Sequence, residues 1–252
     1  MTNLHYAIGD IHGDLEKLEQ ILARIDKDLS EQGNPDHKII FIGDLVDRRA
    51  YSAQVVEKLR VGIQNGAPWI VLKGNHDRMF SLFFTDAHKQ DHKLLERGKD
   101  LFWLHSRLGG LATLASYGVD TQTDQDPERL QKEALIKVPT AHRDFLENLP
   151  SHYETDHFFF AHAGVNPEFA LAHQKEDDLI WIREPFLEHS GGYSKVIIHG
   201  HSPVEKVTHY GNRINIDTGA AYGNALSAIA LDSHEIFELT ETGRVFLRAN
   251  FL

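Results

Sequence analysis

The chain has 252 residues, with 26 Lys+Arg against 37 Asp+Glu, a formal net charge of −11, 17 histidines and no cysteine. Without cysteine there is no disulfide framework, Cys-based zinc finger, iron–sulfur cluster or Cys nucleophile, so any metal site must use His, Asp, Glu, Asn or backbone oxygen. The acidic balance argues against a dedicated nucleic-acid binder, no apolar run approaches the ~18 residues of a membrane span, and no signal-peptide pattern opens the chain, so a cytoplasmic protein is expected.

The first third alternates short apolar runs with helical patterns. Tyr6-Ala7-Ile8 reads as a strand ending at Gly9-Asp10. From Asp14 to Leu29, Leu15, Leu18, Ile21, Leu22, Ile25 and Leu29 recur at helix spacing with charges between them. Lys38 to Ile42 is a buried strand ending at Gly43-Asp44, and Ala53 to Gln64 a second amphipathic helix closed by Asn65-Gly66. Trp69 to Leu72 is a third strand, ending at Gly74-Asn75-His76-Asp77. This rhythm predicts right-handed crossovers and a parallel sheet.

The middle, Phe80 to Leu149, reads as helical and more polar, with helices expected over 107–116, 127–138 and 143–149. Strands return at 158–161 and 195–198, ending at His162-Ala163-Gly164 and His199-Gly200-His201. Further strands are expected over 213–216, 226–231, 235–239 and 245–248 at hairpin-like spacing. No repeat, low-complexity stretch or linker interrupts the chain, and residues 1–252 read as one mixed α/β domain.

Five predicted strands therefore end in Gly joined to Asp, Asn or His. The clusters are GDIHG at 9–13, GDLVDR at 43–48, GNHD at 74–77, HAG at 162–164 and HGH at 199–201. Sites in α/β sheets form at the carboxyl ends of strands, and glycine there allows close approach of backbone and ligand. These residue types bind first-row divalent cations through oxygen and imidazole nitrogen. Aspartates converging on one crevice repel each other unless cations hold them together, and two divalent ions would do so.

These segments resemble the phosphoprotein phosphatase branch of the calcineurin-like metallophosphoesterases, most of all its bacterial and phage Ser/Thr phosphatases. The resemblance runs from residue 8 to about 223 and takes in Gly200-His201-Ser202-Pro203, Trp103, Gly109-Gly110, Thr113-Leu114, Ser116-Tyr117-Gly118 and Trp181-Ile182-Arg183-Glu184. It implies an α/β metallophosphoesterase fold, a central β-sandwich of mixed sheets flanked by helices. It further implies a first metal on Asp10, His12 and Asp44 and a second on Asp44, Asn75, His162 and His201, with Asp44 shared. The cofactors would be two divalent ions, manganese first and iron, zinc or magnesium also acceptable. A hydroxide bridging them would attack phosphorus directly, so the missing cysteines fit. His76 would protonate the leaving group with Asp47 as its partner, and Arg48 and Arg183 would clamp phosphate oxygens. Tyr222 matches a position near substrate in some members. His199 reads as a buried residue behind His201.

The function implied is hydrolysis of phosphomonoesters, with a phosphorylated protein or small phosphoester as substrate, no nucleic-acid or membrane partner, and a monomeric chain. The close alternative is a symmetrical dinucleoside tetraphosphate hydrolase, a sister group whose second motif reads Gly-Asp-Leu-Val-Ala-Arg. Asp47 stands where that group has Ala and favours the monoesterase, while Leu45-Val46 and Asp77 lean back. A nucleic-acid phosphodiesterase fits less well, because its last motif reads Gly-His-x-His. A non-catalytic scaffold predicts lost ligands, and none of the six positions is substituted. Arg49 stands where the family usually has Gly after Arg48, which would alter the turn or add a positive charge at the cleft mouth. Glu176-Asp177-Asp178 reads as a solvated charge run or helix end, and His88, His92 and Lys93 as surface residues of an insertion near the cleft.

Overall fold

The computed structural model describes residues 4–33, 35–96, 98, 101–232 and 235–250. The first sheet is built on β1 (Leu4–Ile8), β2 (His37–Phe41) and β3 (Trp69–Val71), paired in parallel. Helices α1 (Leu15–Glu31) and α2 (Ser52–Gln64) make the two crossovers. On its other side β1 pairs antiparallel with β9 (Ala228–Asp232), followed by β10 (Glu235–Thr240) and β11 (Gly243–Phe246). The second sheet runs β4 (His152–Glu154), β5 (Phe158–Ala161), β6 (Val196–His199), β8 (Arg213–Asn215), β7 (Thr208–His209). Its inner strands β5, β6 and β8 are parallel and its edges antiparallel.

Strand alternation sorts the core into two layers. Ala7, Ile40, Ile42 and Ile229 of the first sheet pack with Phe158, Phe160, Ile198 and Ile214 of the second. Tyr6, Ile8, Ile39 and Phe41 point the other way and pack with the buried stripe of α1, which includes Leu18, Ile21, Leu22, Ile25 and Leu29. Each such side chain contributes about 1.5–3 kcal/mol when fully buried. Asp14 caps α1 by accepting from the Lys17 amide at 3.2 Å. The stacked sheets leave their parallel strands ending side by side, and that edge carries the site.

Between the sheets' sequences lie α3 (Asn75–Thr85), α4 (His92–Glu96), α5 (Gly110–Ser116), α6 (Pro127–Lys137) and α7 (Thr140–Glu147); α8 (Glu176–Trp181) follows β5. The helix expected from residue 107 begins only at Gly110. Residues 103–109 form turns instead, ending at Gly109 with φ 92°, a backbone state that glycine adopts without Cβ strain. The short edge strands β4 and β7 escaped the sequence reading, because pairing through backbone alone leaves little apolar alternation. The acidic run at 176–178 is the first turn of α8, where carboxylates suit the helix dipole. Among the described residues no helix is long and apolar enough to cross a membrane.

Candidate active site

The loops after β1, β2, β3, β5 and β6 meet at one edge. Among the described residues, five non-glycines adopt left-handed backbone, and all five stand in these loops: His12 (φ 48°), Asp44 (52°), Asp47 (76°), Arg48 (71°) and His201 (62°). That conformation is uncommon outside glycine and costs of order 1–3 kcal/mol per residue. The surrounding packing enforces it. The His12 amide donates to the Asp44 carbonyl at 2.8 Å and the Gly13 amide to the Leu45 carbonyl at 2.8 Å. Buried Asp77 accepts from the Leu45 amide at 2.9 Å and the Gly74 amide at 2.8 Å, tying the second loop to the third.

Asp44 lies at the centre. Its Oδ2 is 3.3 Å from His12 Nε2 and its Oδ1 is 3.4 Å from His162 Nε2, while Oδ1 accepts from the His76 amide at 3.0 Å. Burial would raise its pKa, but the imidazoles of His162, His76, His12 and His201 outweigh it and hold the carboxyl below its usual range. Two groups of ligand atoms, each within 4.8 Å of one another, share this aspartate: His12, Asp44 and His76, and Asp44, His162 and His201.

The candidate ligand histidines are oriented from behind. His12 Nδ1–H donates to the Val46 carbonyl at 2.9 Å, and His162 Nδ1–H to the Ile42 carbonyl at 3.0 Å. Each bond leaves an Nε2 lone pair turned inward, the arrangement a metal ligand requires. Burial lowers both pKa values, keeping the imidazoles neutral. Asn75 Oδ1 lies 3.0 Å from His162 Nε2. Asp10 stands outside both close groups because its Oδ2 accepts from the His201 amide at 3.2 Å. Its Oδ1 is buried and, among the described residues, has no hydrogen-bond partner. Burial, then the Asp217 and Asp44 carboxylates, push the Asp10 pKa up. An orphaned carboxylate oxygen among like charges, beside inward imidazole lone pairs, fits hard or borderline divalent cations.

His76 belongs to the first ligand-atom group, yet both its nitrogens are engaged. Nδ1–H donates to Asp47 Oδ2 at 2.6 Å, and Nε2 accepts from Arg48 Nη2 at 3.1 Å. Asp47 is fully buried. Trp103 Nε1 donates to its Oδ2 at 2.8 Å and Thr113 Oγ1 to its Oδ1 at 2.8 Å. Sequence reasoning gave Trp103 and Thr113 no role, although a buried indole N–H needs an acceptor. Arg48 Nη1 donates to Tyr222 Oη at 2.7 Å, and Arg183 donates to Ser202 Oγ at 3.0 Å and the His201 carbonyl at 3.1 Å. His199 lies behind the site, with Arg213 Nη1 3.3 Å from its Nε2, and burial lowers its pKa to about 3. Asp217 was also missed: it is buried in the cleft wall, and burial pushes its pKa up to about 6.

The cleft above these loops has a volume of about 830 Å³. One wall comes from the insertion, with Leu94, Leu101, Arg107 and Leu111, and Trp181 and Tyr222 line the cleft as well. The insertion is anchored from below. Arg78 holds buried Asp91 through Nε at 2.7 Å and Nη2 at 2.9 Å, and reaches Asp177 at 2.7 Å. Trp181 Nε1 donates to the same Asp91 at 3.1 Å, and His92 meets Asp177 at 2.8 Å. The acidic run at 176–178 is thus partly structural, through Asp177. Trp181 is buried in the core and lines the cleft as well.

Residues 6–230 match the family model described as calcineurin-like phosphoesterase. Asymmetrical bis(5'-nucleosyl)-tetraphosphatase PrpE of Oceanobacillus iheyensis is 26% identical over 249 residues, covering 90% of this chain and 88% of that protein. PrpE of Anoxybacillus flavithermus is 23% identical, covering 93% of each. The cold-active protein-tyrosine phosphatase of a Shewanella species superposes with a TM-score of 0.58 at 13% identity, covering 98% of this chain and 81% of that one. The family match spans every strand-end loop described above, and the chain belongs to the calcineurin-like phosphoesterases, with their α/β fold of mixed sheets flanked by helices.

Proposed function

We propose that the chain is a two-metal hydrolase of dinucleoside polyphosphates, cutting a phosphoanhydride bond asymmetrically. The observation that carries this reading is the cleft. At about 830 Å³, with an apolar wall and three arginines, it has room well beyond a single phosphoryl group; pockets for whole small-molecule ligands span about 300–1,000 Å³. The PrpE relatives, matched along most of their length, are named for this substrate class. Their names support it over the Ser/Thr phosphatase reading and favour an asymmetrical over a symmetrical cut.

Asp10, His12, Asp44, Asn75, His162 and His201 would hold the cations, which when bound would supply Lewis acidity and activate water for attack on phosphorus. Arg48 and Arg183 would grip the non-bridging oxygens of the reacting phosphate, for which a guanidinium fork is suited. Arg48 now donates to His76 Nε2. Turning Arg48 to a phosphate oxygen frees that nitrogen to carry a proton to the leaving oxygen. Asp47, fixed by Trp103 and Thr113, holds the ring by Nδ1 and stabilises its charged form.

The 2.6 Å Asp47–His76 bond favours a second reading, a phosphomonoesterase acting on phosphoproteins. An alkoxide leaving group needs a proton more than the nucleotide phosphate released from an anhydride. The test is a parallel assay of Mn²⁺-loaded protein on diadenosine tetraphosphate, p-nitrophenyl phosphate and a phosphoserine peptide. AMP plus ATP as the dominant products supports the proposal, and two ADP would make the cleavage symmetrical. Faster turnover of the phosphopeptide establishes the second reading, and inactivity on all three overturns both.

A further inference from the structure

Among the described residues three arginines line the cleft, and two are already committed. Arg48 is bonded to Tyr222 and His76, and Arg183 to Ser202 and the His201 carbonyl. Arg107 differs. Its backbone amide donates to His105 Nδ1 at 3.1 Å, fixing the turn, while among the described residues its exposed guanidinium makes no hydrogen bond or ion pair. The turn itself is anchored to the reacting end. Trp103 bonds Asp47, and the Gly109 carbonyl accepts from the Arg48 amide at 3.4 Å. Gly109 packs so closely on Arg48 that a Cβ there would strike its backbone. Arg107 is thus an uncommitted cation on a turn pinned at both flanks.

Charge along the cleft is divided. Among the described residues its carboxylates, Asp10, Asp44 and Asp217, all belong to strand-end loops, whereas the described lining residues of segment 94–112 carry no carboxylate and one charge, that of Arg107. Leu94, Leu101 and Leu111 give the same segment an apolar face. A monoester presents one phosphate, which the ligands with Arg48 and Arg183 would absorb. A tetraphosphate bridge carries three more phosphates that need cations and a nucleoside that needs apolar surface.

We propose that Arg107 and the leucines around it form a distal subsite that grips the non-reacting phosphates and nucleoside, making Arg107 a specificity-determining residue for polyphosphate over monoester. The inference rests on the dinucleoside-polyphosphate reading. Charge-assisted bonds from a guanidinium to phosphate are among the stronger polar contacts, so its loss reads as a large change in affinity.

The test compares wild type with Arg107→Ala and Arg107→Lys, all Mn²⁺-loaded. In the Ala variant the ratio of kcat/KM for diadenosine tetraphosphate to that for p-nitrophenyl phosphate is expected to fall about tenfold or more. The loss is expected in KM, with partial recovery in the Lys variant. Inorganic tripolyphosphate, as an inhibitor of p-nitrophenyl phosphate hydrolysis, is expected to weaken by a similar factor. A ratio unchanged within twofold, or a loss confined to kcat, overturns the subsite. Should wild type fail to cleave diadenosine tetraphosphate, the functional reading falls. The tripolyphosphate comparison then decides the subsite alone, and equal inhibition of wild type and variant overturns it.

Discussion

The strand-end loops and the insertion wall face each other across one cleft and are built on opposite terms. The loops are buried, carry every left-handed non-glycine among the described residues, and concentrate charge against burial at Asp10, Asp44 and Asp217. The wall is a set of turns and a short helix, held at Asp91, Trp103 and Gly109, presenting leucines and, among the described residues, one exposed arginine. Strain and desolvation are tolerated where ligand atoms must converge within 4.8 Å. Where only contact area and a distant charge are needed, the chain stays unstrained. On the proposed function, the difference would place the chemistry in the loops and the choice of substrate in the wall.

The most severe break is expected at the shared ligand. Asp44→Ala should leave at most one cation per chain by elemental analysis and lower p-nitrophenyl phosphate turnover by at least about a thousandfold. Near-normal activity would refute the shared-ligand assignment. His76→Ala should follow, with kcat down about 10²–10⁴-fold, the range for a lost general acid, and two cations retained. Loss of metal instead would make His76 a ligand, as its place in the first group allows.

On the wall side, Asp91→Ala strands the Arg78 guanidinium, 12% exposed, away from its main partner. Breaking a buried pair costs about 3–5 kcal/mol, so the melting temperature should fall by about 10 °C. Monoester turnover measured below the transition should fall less than tenfold. A collapse of monoester activity in folded protein would mean that the wall does chemistry too.

The loops were legible in sequence because their requirements are local. A Gly-Asp or Gly-His step at the end of an apolar run states both backbone geometry and ligand type, and Asp10, His12, Asp44, Asn75, His76, His162 and His201 all lie where those runs converge. The parallel pairing of β1, β2 and β3 followed from the same runs, whereas the mixed sheets were implied by the family resemblance. The wall was not legible. Its residues gain meaning only from contacts far apart in sequence, such as Trp103 with Asp47 or Asp91 with Trp181. Arg107 read as a helix residue until the turn ending at Gly109 placed it in the cleft. Asp217 follows β8 with no glycine or histidine beside it to mark a site.

Metal removal sharpens the contrast by pH. Asp217 titrates near 6 in the folded chain against an ordinary 3.8, so the fold holds a proton that the unfolded chain has released. Metal-free protein should therefore be more stable at pH 4–5 and lose stability as pH rises through 6. Thermal melts in EDTA should show this slope, and Asp217→Asn should flatten it. A stability that rises over the same interval would show that Asp217 is not the controlling carboxylate.

The smallest effect is expected where the two regions meet. Tyr222 is 65% exposed, yet its Oη accepts from Arg48 and its ring lies under the guanidinium at 4.9 Å. Tyr222→Phe removes only the hydroxyl acceptor. An exposed bond of this kind is worth about 0.5–1.5 kcal/mol, so KM for p-nitrophenyl phosphate should change about two- to tenfold with kcat nearly constant. Tyr222→Ala also removes the stacking face, and the arginine then loses its restraint on the side away from His76. A larger KM change for the Ala than for the Phe variant would show that the ring, more than the hydroxyl, positions Arg48. Equal changes would place the restraint in the hydrogen bond and leave the ring free to meet a nucleoside held by the wall.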